Sequence, residues 1–174
     1  MASHAAATPG VSVGDGVPHA GVVAELHDAD VLVNVIERRE DGTIRNLDRM
    51  YEPDGRLVGD YAKRHLVPFG EYVPWRNHLG FIGALDQVPE DFTPGTRPKV
   101  FRVGRSRVGT LICFESAFPG LARDTVRAGA EVIVVSTNNR SYRRSGNSAQ
   151  HLESSRMRAA ETGRAVVQAA VSGI

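Results

Sequence analysis

Cysteine is almost missing from this chain of 174 residues: Cys113 stands alone. That excludes an internal disulfide and any zinc site built on paired thiolates. The six histidines are scattered, and their spacing suggests neither a metal site nor a cofactor. Charge of one sign is not in excess either. Lys+Arg 21 against Asp+Glu 20 leaves a net charge of +1, so there is no bulk field to hold nucleic acid. The cluster Arg140-Ser141-Tyr142-Arg143-Arg144 reads as a solvated loop or a local anion contact. No apolar run approaches the about 18 residues that a membrane span requires. Residues 1–20, rich in Ala, Gly, Pro, Ser and His, have neither the basic start nor the apolar core of a signal peptide. Residues 1–30 are expected to be poorly ordered, and 31–174 to form one domain, with no internal repeat.

What is present is an alternation of strand and helix signals. Val31 to Ile36 is a β-branched run that predicts a buried strand. Glu40-Asp41-Gly42-Thr43 is a hairpin signal, so Ile44 to Tyr51 should return, with Asn46 and Asp48 on one side and Leu47 and Arg49 on the other. Asp54-Gly55 repeats the signal before Arg56 to Tyr61. From Lys63 to Trp75 no periodicity survives, and Pro68, Gly70 and Pro74 fix an irregular, rigid loop. Such a loop carrying Lys, His, Glu and aromatics suits either a site or a solvated surface. Residues 76–96 read as loop or short helix, with 89–98 an extended surface crossing.

The second half is more regular. Lys99 to Val103 alternates as a strand, hairpinned through Gly104 to Val108–Cys113. A helix over 121–128 stops at Gly129, Glu131 to Ser136 is a buried strand, a second helix runs from Ser148 to Thr162, and Ala165 to Val171 is a final strand. Thr137-Asn138-Asn139 offers polar groups at a strand end. Strand, helix, strand, helix, strand predicts a layered α/β domain. In such domains ligand sites form where strands end, and that is where Cys113 lies, two residues before Glu115. Taken alone, the segment leaves two readings open: a thiolate nucleophile for acyl transfer, or a small hydrophobe buried on an apolar strand.

Taken together, three groups of residues resemble the apolipoprotein N-acyltransferase family. These are Tyr61-Ala62-Lys63-Arg64-His65-Leu66-Val67-Pro68-Phe69-Gly70-Glu71-Tyr72-Val73-Pro74, then Leu111-Ile112-Cys113-Phe114-Glu115, then Ser136-Thr137-Asn138-Asn139 with Gln150-His151 and Arg156 to Arg164. The motifs keep the family's order over Val31 to Ile174. The family's catalytic part is a carbon–nitrogen hydrolase (nitrilase-like) domain. The resemblance implies an α/β fold, the α-β-β-α sandwich, here incomplete at both ends.

It also implies chemistry. Cys113 matches the nucleophile that takes an acyl group from a phospholipid as a thioester and passes it to the N-terminal amine of a diacylglyceryl apolipoprotein, without a cofactor or metal. Lys63 matches the catalytic lysine, Glu71 the glutamate of the active-site loop, and Glu115 a supporting carboxylate beside the nucleophile. The implied place is the cell membrane, with this domain on the extracytoplasmic side and the membrane contact made by segments absent from this chain. One departure bears on activity. The family's general-base glutamate lies in a Trp-Pro-Glu type segment upstream of the lysine, and Glu25, Glu37, Glu40 and Glu52 do not stand in that context. Its place would fall before Met1, and the loop 140–144 replaces an expected aromatic, glycine-containing one. A soluble amidase and a catalytically inactive fragment are the alternative readings.

Overall fold

The computed structural model describes residues 12–13, 24–25, 27–76, 88–138 and 146–170. Two four-stranded sheets carry the architecture. In the first, β2 (Val31–Arg38), β3 (Ile44–Tyr51) and β4 (Leu57–Ala62) form an antiparallel meander, and the two-residue β1 (Ser12–Val13) pairs with the outer side of β2. The turns form where the sequence predicts them. Gly42 and Gly55 hold φ of 80° and 78°, a region open to glycine at little steric cost. Asp41 and Asp54 each accept the backbone N–H two residues on, which closes the turn locally.

In the second sheet, β5 (Val100–Val103) runs antiparallel to β6 (Ser106–Ile112), and β6, β7 (Val132–Thr137) and β8 (Ala165–Ala170) run parallel. Parallel neighbours need crossovers, supplied here by α1 (Pro119–Arg127) and α2 (Asn147–Thr162). Gly163 ends α2 in the left-handed conformation, φ 61°, with its N–H donating to Ala159 O. Gly109 of β6 is where α1 sits closest: a Cβ there would lie 2.2 Å from Thr125 Cγ2.

The two sheets face each other across Met50, Tyr61, Phe101 and Ile112. On the far side of the second sheet, Leu111, Ile133 and Val135 pack with Ala122 of α1. The described residues therefore stack as helices, sheet, sheet, the incomplete α-β-β-α sandwich that the sequence implies. Within residues 1–30, β1 is paired and Ala24 is fully buried.

Three details differ from the sequence reading. β6 ends at Ile112, and Cys113 opens a 3-10 turn, Cys113–Ala117, instead of closing the strand. β3 is covered on both of the faces the sequence reading distinguished: Asn46, Leu47, Asp48, Arg49 and Met50 are all buried. On the outer face Arg49 is neutralised by buried Glu37 of β2, which is how a strand buries an arginine. The crossing over 89–98 is docked, with Phe92 bridging Ile44 and Thr93 N–H donating to Ile44 O at 2.7 Å. Residues 77–87 and 140–144, Asn139 and Val171, on which the sequence reading also bears, lie outside the described residues.

Candidate active site

Lys63 follows directly on β4 and is 2% exposed. A buried ammonium needs a counter-charge, and Glu71 provides it: Lys63 Nζ donates to Glu71 Oε2 at 2.7 Å. The loop between them bends back so that Val67 N–H also donates to Oε2 at 2.8 Å, while Asn46 Nδ2 of β3 donates to Oε1 at 2.8 Å. The carboxylate thus accepts one bond on one oxygen and two on the other, and is fixed in its plane. The prolines and glycine seen in the sequence permit this tight return. Phe69 and Trp75, on the same loop, hold φ of 59° and 51° and are 56% and 77% exposed as residues. Left-handed bulky residues are uncommon and mark a loop held by its surroundings.

The main chain of Lys63 is held from both sides. Its N–H donates to Asn46 O at 2.9 Å, and its C=O accepts from Gly95 N–H at 2.8 Å. The crossing strap can approach this closely because residue 95 is glycine: a Cβ there would lie 2.3 Å from Ala62 O.

Cys113 adopts φ 50°, the strained conformation of a sharp strand-to-helix turn. Its side chain is partly buried and packs against the cluster of Met50, Tyr61, Phe101 and Ile112. Among the described residues it makes no hydrogen bond to Lys63 or Glu71. What joins the cysteine turn to the lysine loop is Glu115, which is fully buried. Its Oε1 accepts Arg64 N–H at 2.7 Å and His65 N–H at 3.0 Å, and its Oε2 accepts Ile112 N–H at 2.8 Å. One carboxylate therefore ties the residues after Lys63 to the residue before Cys113. Tyr61 Oη donates to both oxygens, at 2.9 and 2.8 Å. Burial, and then the charge of Glu115, push the Tyr61 phenol well above its ordinary value, so it remains a donor. The His65 ring lies 3.7 Å, centroid to centroid, from that of Phe118, beyond the turn. From α2, buried Arg158 donates to Ser116 O at 3.0 Å.

The structure thus brings Lys63 and Glu71 into direct contact and joins Cys113 to them through Glu115. Sequence reasoning missed Asn46, Tyr61 and Gly95. Asn46 stands among residues read only as a returning strand, and only its polarity at an inward position hinted at a role. At the end of β7, Thr137 Oγ1 lies 3.3 Å from Nδ1 of His151 on α2. Among the described residues no cluster of three or more His, Cys, Asp or Glu could hold a metal ion. No helix among them is long and apolar enough to cross a membrane.

Comparison with known proteins bears on this arrangement. The model of the carbon-nitrogen hydrolase family matches residues 21–174. An apolipoprotein N-acyltransferase from Geobacter metallireducens is 36% identical over 156 residues, covering 88% of this chain and 30% of that protein. The enzyme of that name from Synechocystis is 40% identical over 121 residues, covering 69% of this chain and 23% of its own length. The chain therefore spans about a third or less of the curated relatives it matches. Among solved structures, an amidase from Nesterenkonia sp. AN1, with acrylamide added at its active-site cysteine, superposes with a TM-score of 0.64 at 17% identity. It is covered over 52% of its chain and covers 88% of this one. A carbon-nitrogen hydrolase from Helicobacter pylori G27 gives a TM-score of 0.64 at 20% identity, over 86% of this chain and 48% of its own. These structures share the fold.

Proposed function

Since the chain belongs to the carbon-nitrogen hydrolase family, we propose that it carries the thioester-forming centre of an apolipoprotein N-acyltransferase, with Cys113 as nucleophile. The observation that carries this reading is the pairing of buried Lys63 with Glu71, stitched to the cysteine turn by Glu115. That pairing supports the reading because it holds an ammonium on the loop tied to the cysteine turn, and acyl transfer calls for a positive charge to stabilise its oxyanion.

In the first half-reaction Cys113 Sγ attacks an ester carbonyl of a phospholipid. The S–C bond forms, the ester C–O bond breaks, and the thiol proton leaves with the lysophospholipid alkoxide. Lys63 stabilises the thiolate and then the oxyanion of the tetrahedral intermediate. Glu71 already accepts three hydrogen bonds, so its role is to hold the lysine. Glu115 is a positioning residue, its lone pairs occupied by the backbone of both segments. In the second half-reaction the α-amine of an S-diacylglyceryl cysteine attacks the thioester. The N–C bond forms, the C–S bond breaks, and an amine proton returns to Cys113. The exposed rings of Phe69 and Trp75 on the lysine loop suit an apolar acyl donor presented at a membrane surface. The partners are thus a phospholipid donor and a lipoprotein acceptor, and the place is the membrane, on its extracytoplasmic face.

The test supplies the chain with phospholipid vesicles and a short peptide beginning with S-diacylglyceryl cysteine. Acyl-amide on the peptide N-terminus, absent with Cys113→Ala, is the expected product. Free fatty acid formed at the same rate with and without the peptide would show that water is the acceptor and that the centre is a hydrolase.

A further inference from the structure

A further carboxylate lies between the two sheets and is fully buried: Asp48 of β3. Its Oδ1 accepts from Ser136 Oγ of β7 at 2.6 Å and from Asn34 Nδ2 of β2 at 3.0 Å. Its Oδ2 accepts from Ser136 Oγ at 2.8 Å and from Thr110 Oγ1 of β6. Asn34 Nδ2 also donates to Asn46 Oδ1 at 2.8 Å and to Leu47 O at 3.1 Å, and Asn46 Nδ2 donates to Glu71 Oε1 at 2.8 Å.

We infer that Asp48 is a positioning residue for the Lys63–Glu71 pair, acting through Asn34 and Asn46. The inference rests on the reading of that pair as catalytic machinery. A carboxylate only accepts hydrogen bonds when ionised, so Asp48 requires the amide nitrogen of Asn34 to face it. With that amide so turned, Asn46 must present its oxygen to Asn34 and its nitrogen to Glu71. The reversed Asn46 amide would set two NH2 groups against each other and its oxygen against the Glu71 carboxylate. The line Asp48–Asn34–Asn46–Glu71–Lys63 therefore has one permitted polarity, and the hydroxyls of Thr110 and Ser136 anchor it to the opposite sheet.

A purely structural tie between the sheets would not need an ion. Met50, two residues along the same face, joins the sheets by apolar contact with Phe101 and Ile112, and replacing buried ions by apolar groups is often neutral or stabilising. Burial raises the Asp48 carboxyl to about 6, against the pull of the Ser136, Thr110 and Asn34 bonds, with the Glu115 charge adding to the rise. Across the sandwich the Glu115 carboxylate acts on Asp48 as a like charge. β6 and β7 give it only the two hydroxyls, and β2 an uncharged amide. Arg49 is committed to Glu37.

The test is a carboxyl 13C titration of the full chain, from about pH 4 to about pH 8, following Glu71 and Asp48. In the wild type the Glu71 signal is expected to show an inflection at the Asp48 midpoint. That inflection should vanish in Asp48→Asn, which has no titration, and in Asn34→Ala, where Asp48 still titrates but is uncoupled. A Glu71 signal in the folded wild type that does not sense Asp48, or an inflection that survives Asn34→Ala, would overturn the inference. The wild-type arm stands even if a variant fails to fold. In parallel, the Cys113 acylation rate by phospholipid vesicles should fall about tenfold to a hundredfold in Asn34→Ala, with Asp48→Asn keeping most of it because its Oδ1 still accepts from Asn34. Equal rates for Asn34→Ala and wild type would also overturn it. If the wild type itself forms no adduct, the functional reading fails, while the titration still decides the coupling.

Discussion

Lys63 is 2% exposed, and among the described residues its carboxylate partner is Glu71, at 2.7 Å. Removing either charge leaves the other stranded in a low-dielectric site, which costs more than the pair contributes. Lys63→Met should therefore lower the rate of Cys113 acylation by about a hundredfold or more, the loss typical when one oxyanion donor is removed. A rate within about threefold of wild type would remove Lys63 from the chemistry. Glu71→Gln is isosteric yet cannot satisfy its neighbours. If its oxygen serves Asn46, its NH2 group faces Lys63 Nζ and Val67 N–H; if it is turned, it faces Asn46 Nδ2. We expect at least a tenfold loss in the same assay. The residues to which the proposed chemistry is assigned were picked out in the sequence by their resemblance to a family's motifs, chief among them the long string from Tyr61 to Pro74. Their orienting partners were not. Asp48 meets Thr110 and Ser136 across 62 and 88 residues of chain, and nothing local in a strand sequence announces such a meeting.

At the scale of elements, the turn after β6 and the loop after β4 are fixed to each other by Glu115. Gln at that position offers one acceptor oxygen in place of two, so of the three backbone N–H groups and one phenol that point at it, some are left unpaired. Glu115→Gln should destabilise the fold by about 2–4 kcal/mol, read as a lower urea midpoint at unchanged slope. It should slow acylation as well, because the lysine loop loses its tie to the cysteine turn. The strap through Gly95 makes a similar demand by steric means. A methyl group 2.3 Å from Ala62 O cannot be accommodated without moving the strap or Lys63, so Gly95→Ala should cost about 1–3 kcal/mol. Strand and helix order was readable because turn residues at Gly42, Gly55, Gly129 and Gly163 punctuate it. The strap read as a surface crossing because its packing is set by backbone bonds to β3 and to Lys63, which leave no periodicity in side chains.

For the whole molecule, the buried charge between the sheets sets a pH dependence of stability. The Asp48 carboxyl is raised from 3.8 to about 6, chiefly by burial, so the native state holds this proton more tightly than the unfolded chain. The resulting stabilisation is complete below about pH 4 and is lost as pH rises through about 6; by about pH 8 it amounts to ~3 kcal/mol lost. Asp48→Asn does not titrate, so its stability relative to wild type should improve by about 3 kcal/mol between about pH 4 and about pH 8 in urea unfolding. A difference that does not change with pH would show that Asp48 titrates as an ordinary carboxyl. A layered α/β domain was legible from the alternation of strand and helix signals, and the sandwich from the family resemblance. That its two sheets are joined by a polar line as well as an apolar core was not, since Asp48 stood among residues assigned to an ordinary meander.

The most direct test of the proposed chemistry is the intact mass of the full chain after incubation with phospholipid vesicles, beside Cys113→Ala. The expected result is an acyl-sized gain that hydroxylamine removes and that the variant lacks, placing the thioester on Cys113. A folded wild-type chain that gains no mass, or an adduct that persists in Cys113→Ala, would contradict the assignment of Cys113 as the acyl-carrying nucleophile.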